Sequence, residues 1–499
     1  MKKIGFIITT LVLFIPINIF AYDTSKAYDW FKETDMIVTD SNRQKYIDEY
    51  GLTGITNGTF LLNYNMKNNS ILLSNVSRIK DLSISSSFSS LILLNGYLET
   101  KDSKLLNRAI LIGNNIIENK TETRPYVYGG KPLTFIVGKT SMKHGSWGYN
   151  KDYVEVYPND MLVNATFLIE LSIVTKDSKY AEVGLAVIDS LQFIQDNQKD
   201  HFNGGLPYYL YSDDGKFKIQ WRYQPFDIAY QVYLAGESAY KYTNDNKYKI
   251  FIEDYYNMVY QMLENGIYKK FTKNGKEYIL PYEHLYKNDD DSYIGVNHDN
   301  YKNTVYTSNT DITMDQFFYF TLGMISYNPT NEWSKKFYET AKVLMNDNYF
   351  YWGEYTVDGN KGTADGTELE IINTAFMVEA MKLMGETKET YQSIICALIH
   401  QVEESTDKSI NGAWTWSVGI NDLIEGLATS WIIYEVYDKN GSENCCSLSN
   451  DKVLEEHNNV LEENPKTGVF NLIPIFLIIT TISAILYLYI DKKKIFKKM

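Results

Sequence analysis

The feature that most restricts the fold is a regular alternation of helical segments with long, aromatic-rich segments. From about residue 81 onward, the apolar residues follow the 3.6-residue period of an α-helix. The helical segments come in pairs joined by short turns, such as Thr175-Lys176-Asp177, and much longer segments separate one pair from the next. Because a short turn makes consecutive helices antiparallel neighbours, the sequence predicts a series of helical hairpins.

The helical pattern predicts five hairpins followed by one further helix. Asp102, Asp177 and Thr387 stand where an N-cap is expected, and Pro225 stands at a first-turn position. The predicted helices are 81–98 with 104–118, 160–174 with 178–195, 225–242 with 247–263, 312–325 with 332–346, 368–384 with 388–403, and 421–437 alone.

Two architectures can be built from such hairpins. Five to six hairpins close into an α/α toroid, in which the odd helices form an inner layer and the even helices an outer layer. All long loops then emerge on one rim. An open α-solenoid needs the same hairpins, but its repeats are usually shorter and more uniform in length. The pattern therefore favours an all-α closed ring, preceded by a mixed segment with weak strand-like pieces at 59–64 and 70–76.

The long loops share a composition of glycine with aromatic residues, and two of them follow a glutamine, Gln195 and Gln401. This combination resembles the turns of α/α-toroid proteins, including terpenoid-cyclase-like folds, toroid-type polysaccharide lyases and the helical domain of glucuronyl C5-epimerases. The resemblance covers about residues 80–440 at the level of the fold, and no family's catalytic motif is intact. It implies a toroid that acts on, or binds, a polysaccharide. The loop sequences are His144–Tyr149, Asn203–Tyr209, Tyr351–Tyr355 and Asn411–Trp416.

The first 21 residues have the form of a signal peptide. Lys2 and Lys3 precede an uncharged apolar run that ends at Phe20, and Ala21 is the small residue expected before a cleavage point. The run is short for a stable membrane-spanning helix. An uncleaved N-terminal anchor is the alternative interpretation.

The C-terminal residues form a second targeting signal. Asn464, Pro465, Lys466, Thr467 and Gly468 precede the uncharged span 469–490, and a lysine-rich tail, 491–499, follows it. Motif, span and basic tail resemble the cell-wall sorting signal of Gram-positive surface proteins, with Asn464 where that family has leucine. The resemblance implies cleavage by a sortase after Thr467 and attachment to cell-wall peptidoglycan. A plain single-pass membrane anchor is the alternative.

These signals divide the chain into seven predicted segments and place its large domain outside the cell. The segments are the signal peptide 1–21, the mixed segment 22–80, the toroid 81–438, a polar spacer 439–463, the sorting motif 464–468, a transmembrane helix 469–490 and a cytoplasmic tail 491–499.

The charge of the chain argues against some partners. The formal net charge is −14, and the lysines and arginines are scattered. This balance argues against nucleic acid as a partner. With three cysteines in 499 residues, no disulfide framework is expected. His284 and His298 do not have the spacing of a metal motif, so the sequence predicts no cofactor and no metal.

Candidate functional residues lie in the predicted loop rim. Carboxylates near the starts of odd helices suit acid–base work on a glycosidic bond, and an arginine beside a tyrosine suits a uronate. Aromatic side chains stack on sugars. A wider set of rim residues includes Tyr157, Glu283 and His284. The predicted catalytic residues are Asp227, Asp311, Glu368, Asp422, Arg222 and Tyr223, and the predicted substrate-binding residues are Trp147, Tyr149, Tyr208, Trp221, Trp352, Trp414 and Trp416.

Three hypotheses about function follow. The first is a surface enzyme that acts on extracellular polysaccharide as a hydrolase, lyase or epimerase. The second is a non-catalytic toroid that binds a glycan or a host protein, and the third is an envelope scaffold with no ligand. Fold alone does not decide between them. Paired rim acids, or an arginine with a tyrosine and a histidine, favour the first.

Overall fold

In the computed structural model of the chain, all described residues lie in one compact unit, Met1–Cys446. They contain twelve α-helices and twenty short strands, so helices dominate the fold. The described residues are 24–50, 55–60, 63–65, 70–72, 78–80, 84–137, 139–141, 154–197, 204–212, 214–219, 223–287, 292–296, 312–345, 350–351, 354–355, 369–398, 413–414, 417–418 and 423–425.

Ten of the described helices form the five predicted hairpins. Two further helices, α1 (Thr24–Glu33) and α2 (Arg43–Tyr50), precede them. The hairpins are α3 (Ile84–Thr100) with α4 (Ser103–Asn115), α5 (Pro158–Thr175) with α6 (Ser178–Asn197), α7 (Ala229–Thr243) with α8 (Lys247–Glu264), α9 (Met314–Tyr327) with α10 (Glu332–Leu344), and α11 (Ile371–Leu383) with α12 (Lys388–Leu398). A π-helical turn, Ile116–Lys120, extends α4.

The first helix of each hairpin belongs to an inner layer. In this layer α3 packs on α5, α5 on α7, α7 on α9, and α9 on α11. Within α5, every residue from 161 to 169 is buried. A helix that is apolar on all sides is expected between other elements rather than at the surface. The sequence pattern and the packing therefore assign the odd helices to the inner layer, as predicted.

The second helix of each hairpin lies on the outside. α8 buries one stripe, which includes Tyr248, Phe251 and Tyr255, and leaves Glu253 and Asn257 exposed. This one-sided pattern is typical of a helix with one face on the core and one face in water. Each outer helix packs on its own hairpin partner.

The strands lie in the segments before the inner helices and after α12. The strands up to α7 are β1 (Asn63–Asn65), β2 (Ser70–Leu72), β3 (Arg78–Lys80), β4 (Thr121–Pro125), β5 (Pro132–Ile136), β6 (Lys139–Ser141), β7 (Val154–Val156), β8 (Leu210–Ser212), β9 (Lys218–Ile219) and β10 (Tyr223–Pro225). The later strands are β11 (Lys269–Lys273), β12 (Lys276–Leu280), β13 (His284–Lys287), β14 (Tyr293–Val296), β15 (Ile312–Thr313), β16 (Phe350–Tyr351), β17 (Glu354–Tyr355), β18 (Leu369–Glu370), β19 (Ser417–Val418) and β20 (Leu423–Glu425).

Contacts between distant elements show that the layer curves into a ring. Phe88 of α3 stacks on Tyr230 of α7 and on Tyr319 of α9, each with 6.5 Å between ring centroids. Strand β1, before the first hairpin, pairs antiparallel with β20, after the last one. The two ends of the hairpin series therefore meet.

Three of the hairpin turns repeat one local motif, Thr-x-Asp-x-Lys. Lys101, Lys176 and Asn244 adopt a left-handed backbone conformation with φ near 60° (59°, 60° and 57°). The aspartate that follows each of these residues caps the next helix. The Asp102 carboxylate accepts a hydrogen bond from the Lys104 backbone amide at 2.9 Å, and the Asp177 carboxylate accepts one from the Lys179 backbone amide at 3.2 Å. This confirms the predicted caps at Asp102 and Asp177. The third aspartate, Asp245, accepts from the Lys247 amide at 3.0 Å.

The structure corrects three details of the predicted helices. Pro225 ends strand β10 instead of opening a helix, because β10 pairs with β13 and α7 begins only at Ala229. Leu423–Glu425 is a strand rather than part of a helix 421–437, since it pairs with β1. The mixed segment 22–80 contains the helices α1 and α2, which are too short and polar to give a clear period.

Both predicted targeting signals lie outside the described residues. In the part of the chain that the structure describes, no helix combines the length and apolar character needed to cross a membrane. The signal peptide, the sorting motif and the span 469–490 therefore stay predictions.

Candidate functional site

The candidate site lies at the N-terminal ends of α5 and α7, where long loops meet. Strand β7 pairs with β8, so that Val156 faces Leu210. Tyr157 follows β7 and precedes α5, whereas Tyr208 and Tyr209 precede β8. Because the strands are antiparallel, this pairing brings the three tyrosines together at one edge of the sheet.

The three tyrosine rings form a half-buried cluster. The centroid of the Tyr157 ring lies 5.8 Å from that of Tyr208 and 5.7 Å from that of Tyr209, and the Tyr208 and Tyr209 centroids are 5.8 Å apart. All three side chains are partly exposed. Aromatic surface of this kind, with a few placed polar groups, is typical of sites for small organic ligands.

A histidine lies directly behind this cluster. The ring of His284 is fully buried, and its centroid is 4.6 Å from that of Tyr208. Strand β13 places it there, since His284 pairs with Pro225 of β10 in an antiparallel register. The neighbouring Glu283 is also buried, and its backbone oxygen accepts a hydrogen bond from the Phe226 amide at 2.7 Å.

Asp227 lies just beyond this strand pair, two residues before α7 begins, and is half-buried. The segment that carries it is fixed by Tyr255 of α8, whose hydroxyl donates to the backbone oxygens of Pro225 (2.9 Å) and Phe226 (3.2 Å). Burial raises the pKa of Tyr255 well above its ordinary value, and the Asp227 carboxylate raises it further. Tyr255 therefore stays protonated and acts as a donor.

A buried aspartate also lies at the start of the neighbouring inner helix, α5. Asp160 lies in the first turn of α5 with 7% of its surface exposed. The partial positive charge at a helix N-terminus favours a carboxylate there. The starts of the adjacent helices α5 and α7 thus each carry an acidic residue.

The arrangement brings together only some of the predicted site residues. Asp227 and Tyr208 lie in the candidate site, and Tyr223 lies in β10, paired with Tyr286 through the backbone. The remaining predicted residues lie outside the described residues: Asp311, Glu368, Asp422, Arg222, Trp147, Tyr149, Trp221, Trp352 and Trp416.

Trp414 is the predicted rim residue that the structure places elsewhere. Its side chain is fully buried, and its indole N–H donates a 2.9 Å hydrogen bond to the backbone oxygen of Leu398. A buried ring cannot stack on a sugar. We therefore assign Trp414 to the core, where it holds the end of α12.

Two residues of the site were not singled out in the sequence. The sequence could have indicated Tyr209, because it directly follows Tyr208 in the aromatic segment after Gly-Gly-Leu-Pro. Asp160 has the ordinary appearance of a first-turn acid, and its burial depends on the packing of α5. His284 was in the wider rim set, but only the β10–β13 pairing shows that it lies beside Tyr208.

The site can support proton transfer. An imidazole can donate or accept a proton, and a phenol and a carboxylate can donate or accept a hydrogen bond beside it. Among the described residues, no group of three or more His, Cys, Asp or Glu side chains could hold a metal ion.

The comparisons with known proteins support the fold. No protein-family model and no curated protein matches the chain. A solved structure of D-mannose isomerase matches with a TM-score of 0.54 and 11% identity, covering 83% of this chain and 95% of that one. Cellobiose 2-epimerase from Spirochaeta thermophila matches with a TM-score of 0.50 and 11% identity, covering 86% of this chain and 97% of that one. At such identities the likeness shows a helix-dominated α/α-toroid fold.

Proposed function

We propose that this chain is a carbohydrate-active enzyme that performs acid–base chemistry on a sugar at the loop rim of its toroid. The observation that carries the proposal is the buried His284 imidazole, 4.6 Å from the partly exposed Tyr208 ring. A tyrosine face can stack on a sugar, and because the imidazole behind it is fully buried, the Tyr208 hydroxyl would relay the proton between the sugar and His284. Asp227 lies at the start of α7, next to the strand pair that holds His284.

Among hydrolase, lyase and epimerase, isomerisation or epimerisation is the reaction that the described site supports best. Two of the solved structures that share the fold are named D-mannose isomerase and cellobiose 2-epimerase. Such reactions need a base that removes a proton from a carbon next to a carbonyl and an acid that returns it. A histidine with a neighbouring phenol suits that task.

The test is proton exchange in deuterated water. The purified full chain is incubated with D-mannose, with cellobiose and with uronate-containing polymers, and NMR follows deuterium uptake and new sugar products. We expect turnover of a sugar, reduced by about 10²-fold or more in His284→Asn. Tyr211→Phe is the matched control. The Tyr211 ring centroid lies 6.2 Å from that of Tyr209, and the substitution removes one phenol hydroxyl without changing Tyr208 or His284.

The outcomes separate the classes of enzyme. Deuterium bound to a sugar carbon next to the carbonyl, without chain cleavage, supports an epimerase or isomerase. Release of new reducing ends or of an unsaturated uronate identifies a hydrolase or a lyase instead. If none of these products appears with any substrate, the enzyme proposal is wrong.

Glycan binding without turnover is the second candidate, and one surface feature favours it. The β4–β5 hairpin ends in an exposed tip, where Tyr128 is 54% exposed and its ring lies 5.6 Å from that of Tyr126. A glycan array with the full chain and with Tyr128→Ala tests this candidate. Binding that needs Tyr128, together with no turnover, would favour an adhesin-like role.

We also propose that the chain is exported and anchored at the surface of a Gram-positive-type bacterium. Residues 1–21 and the 464–468 motif with its following span support this location. Sortase, peptidoglycan and the membrane would be its envelope partners. Replacing Thr467 and Gly468 by alanine should move the protein from the cell-wall fraction to the membrane fraction. If the protein stays in isolated cell walls, the sortase proposal is wrong.

A further inference from the structure

A layer of aromatic rings crosses the centre of the ring of helices. Phe88 stacks on both Tyr230 and Tyr319, with interplanar angles of 18° and 3°. Tyr319 continues the series to Phe376 of α11 at 5.2 Å. Four inner helices thus contribute one ring each. These ring contacts join α3, α7, α9 and α11.

A cavity of about 180 Å³ lies between α3, α5 and α7, with Phe88 and Tyr230 in its wall. Its other lining residues, which include Leu91, Leu98 and Val174, come from the middle and C-terminal parts of these helices. Leu98 is 49% exposed, so the cavity opens toward the short turns. None of the residues of the candidate site, which are Tyr157, Tyr208, Tyr209, Asp160, Asp227 and His284, lines this cavity.

One acidic side chain lies in this apolar wall. Glu170 lines the cavity together with Ser238, whose hydroxyl donates a 2.9 Å hydrogen bond to the Glu170 carboxylate. Among the described residues, no lysine, arginine or histidine forms an ion pair with Glu170. A carboxylate that is half-buried among apolar groups is stabilised by a cation that enters the same space.

We infer that this cavity is a second ligand site, for a small organic amine with an apolar body. The size fits, because an apolar cavity of about 150 Å³ is large enough to bind benzene. The apolar body packs against Phe88, Leu91 and Leu234, while the ammonium group pairs with Glu170. Tyr230 adds an aromatic ring that can attract a cation. This inference does not depend on the proposed sugar chemistry.

The test uses benzylamine as the probe, with benzyl alcohol as its neutral counterpart. Isothermal titration calorimetry and ligand-observed NMR measure binding of each to the purified full chain. We expect benzylamine to bind with a stoichiometry of one, and benzyl alcohol to bind about fivefold or more weakly. Glu170→Gln should lower the affinity for benzylamine by a similar factor and leave the affinity for benzyl alcohol unchanged.

The chain offers a matched control for the charge. Glu182 also accepts a hydrogen bond from a serine, Ser178, at 2.9 Å, but this pair is exposed on the outer helix α6. Glu182→Gln should therefore leave benzylamine binding unchanged. Leu91→Trp fills the cavity and should abolish binding of both probes. A cooperative thermal unfolding transition then shows that this variant is folded.

Two results would overturn the inference. If benzylamine binds equally well to Glu170→Gln or to a folded Leu91→Trp variant, it binds elsewhere. If neither probe binds at millimolar concentration, the cavity is not a ligand site. Neither result bears on deuterium exchange at the loop rim, so the two proposals fail independently.

Discussion

The side-chain amide of Gln195 donates a 2.7 Å hydrogen bond to the backbone oxygen of Gly204, nine residues along the chain. The same amide donates to the backbone oxygen of Phe251 at 3.2 Å. Gln195 is buried at the end of α6. It therefore joins the outer helix α6, the outer helix α8 and the loop that leads to Tyr208 and Tyr209.

Replacing Gln195 should lower the stability of the fold. Gln195→Ala removes the side-chain donor from the Gly204 oxygen and from the Phe251 oxygen in the buried interior, so we expect the free energy of unfolding to fall by about 2 kcal/mol. Urea unfolding measures the change. Asn197→Ala is the control, because the Asn197 amide donates to Phe193 at an exposed position and should cost less than about 0.5 kcal/mol. Equal losses in both variants would contradict the role of Gln195.

Gly204 should tolerate no side chain. Its φ is +92°, and an added Cβ would lie 1.9 Å from the backbone oxygen of Asp254. We expect Gly204→Ala to cost about 3 kcal/mol or more, since the strained backbone conformation adds to a clash with backbone. Gly215→Ala separates the two causes, because φ is +81° there and nothing lies within 4 Å. That variant should lose only about 1 kcal/mol in the same unfolding experiment.

The hairpins were predictable because the information is local. A 3.6-residue period, a short turn and an acid such as Asp177 lie within one segment, and the packing of the inner layer preserves them. Strands of two to five residues carry no such period. Strand β20 exists because β1 lies beside it, and β1 is about 360 residues earlier in the chain.

The candidate site was predictable only in part, for a similar reason. Aromatic and acidic residues in the loops identified Tyr208 and Asp227, but the direction of each side chain depends on distant partners. Trp414 lies in the same kind of glycine- and tryptophan-containing loop as the predicted rim residues and still points into the core. His284 gains its place from pairing with Pro225, fifty-nine residues earlier.

Two aspartates should respond to pH in opposite directions. Burial raises the pKa of Asp254, and Asp196 and Glu253 raise it further. Folding therefore disfavours the ionised form, which lowers stability at neutral pH, and protonation below the folded-state pKa removes that loss. We expect Asp254→Asn to be more stable than the natural chain at about pH 7, with a gain that shrinks toward about pH 4.

Asp102 provides the opposite case for the same measurement. The Lys104 amide lowers the pKa of Asp102, and Lys32 lowers it further. The ionised form is thus favoured by folding, and its contribution is lost as pH falls through the folded-state pKa. Asp102→Asn should be less stable at about pH 7, with a loss that shrinks in acid. Changes of the same sign in both variants, in urea unfolding at each pH, would contradict these assignments.

Trp414 and Tyr208 should separate stability from activity. Trp414→Phe removes the N–H donor to the Leu398 oxygen and part of a buried ring, so we expect a loss of about 2 kcal/mol in unfolding free energy. Its sugar turnover, measured well below the unfolding temperature, should be unchanged because the ring does not reach the surface. Tyr208→Ala should show the reverse pattern: a partly exposed ring contributes less to folding, but its loss removes the surface beside His284. If Trp414→Phe reduced turnover in a fully folded variant while Tyr208→Ala did not, the site would have to be placed at the Trp414 loop instead.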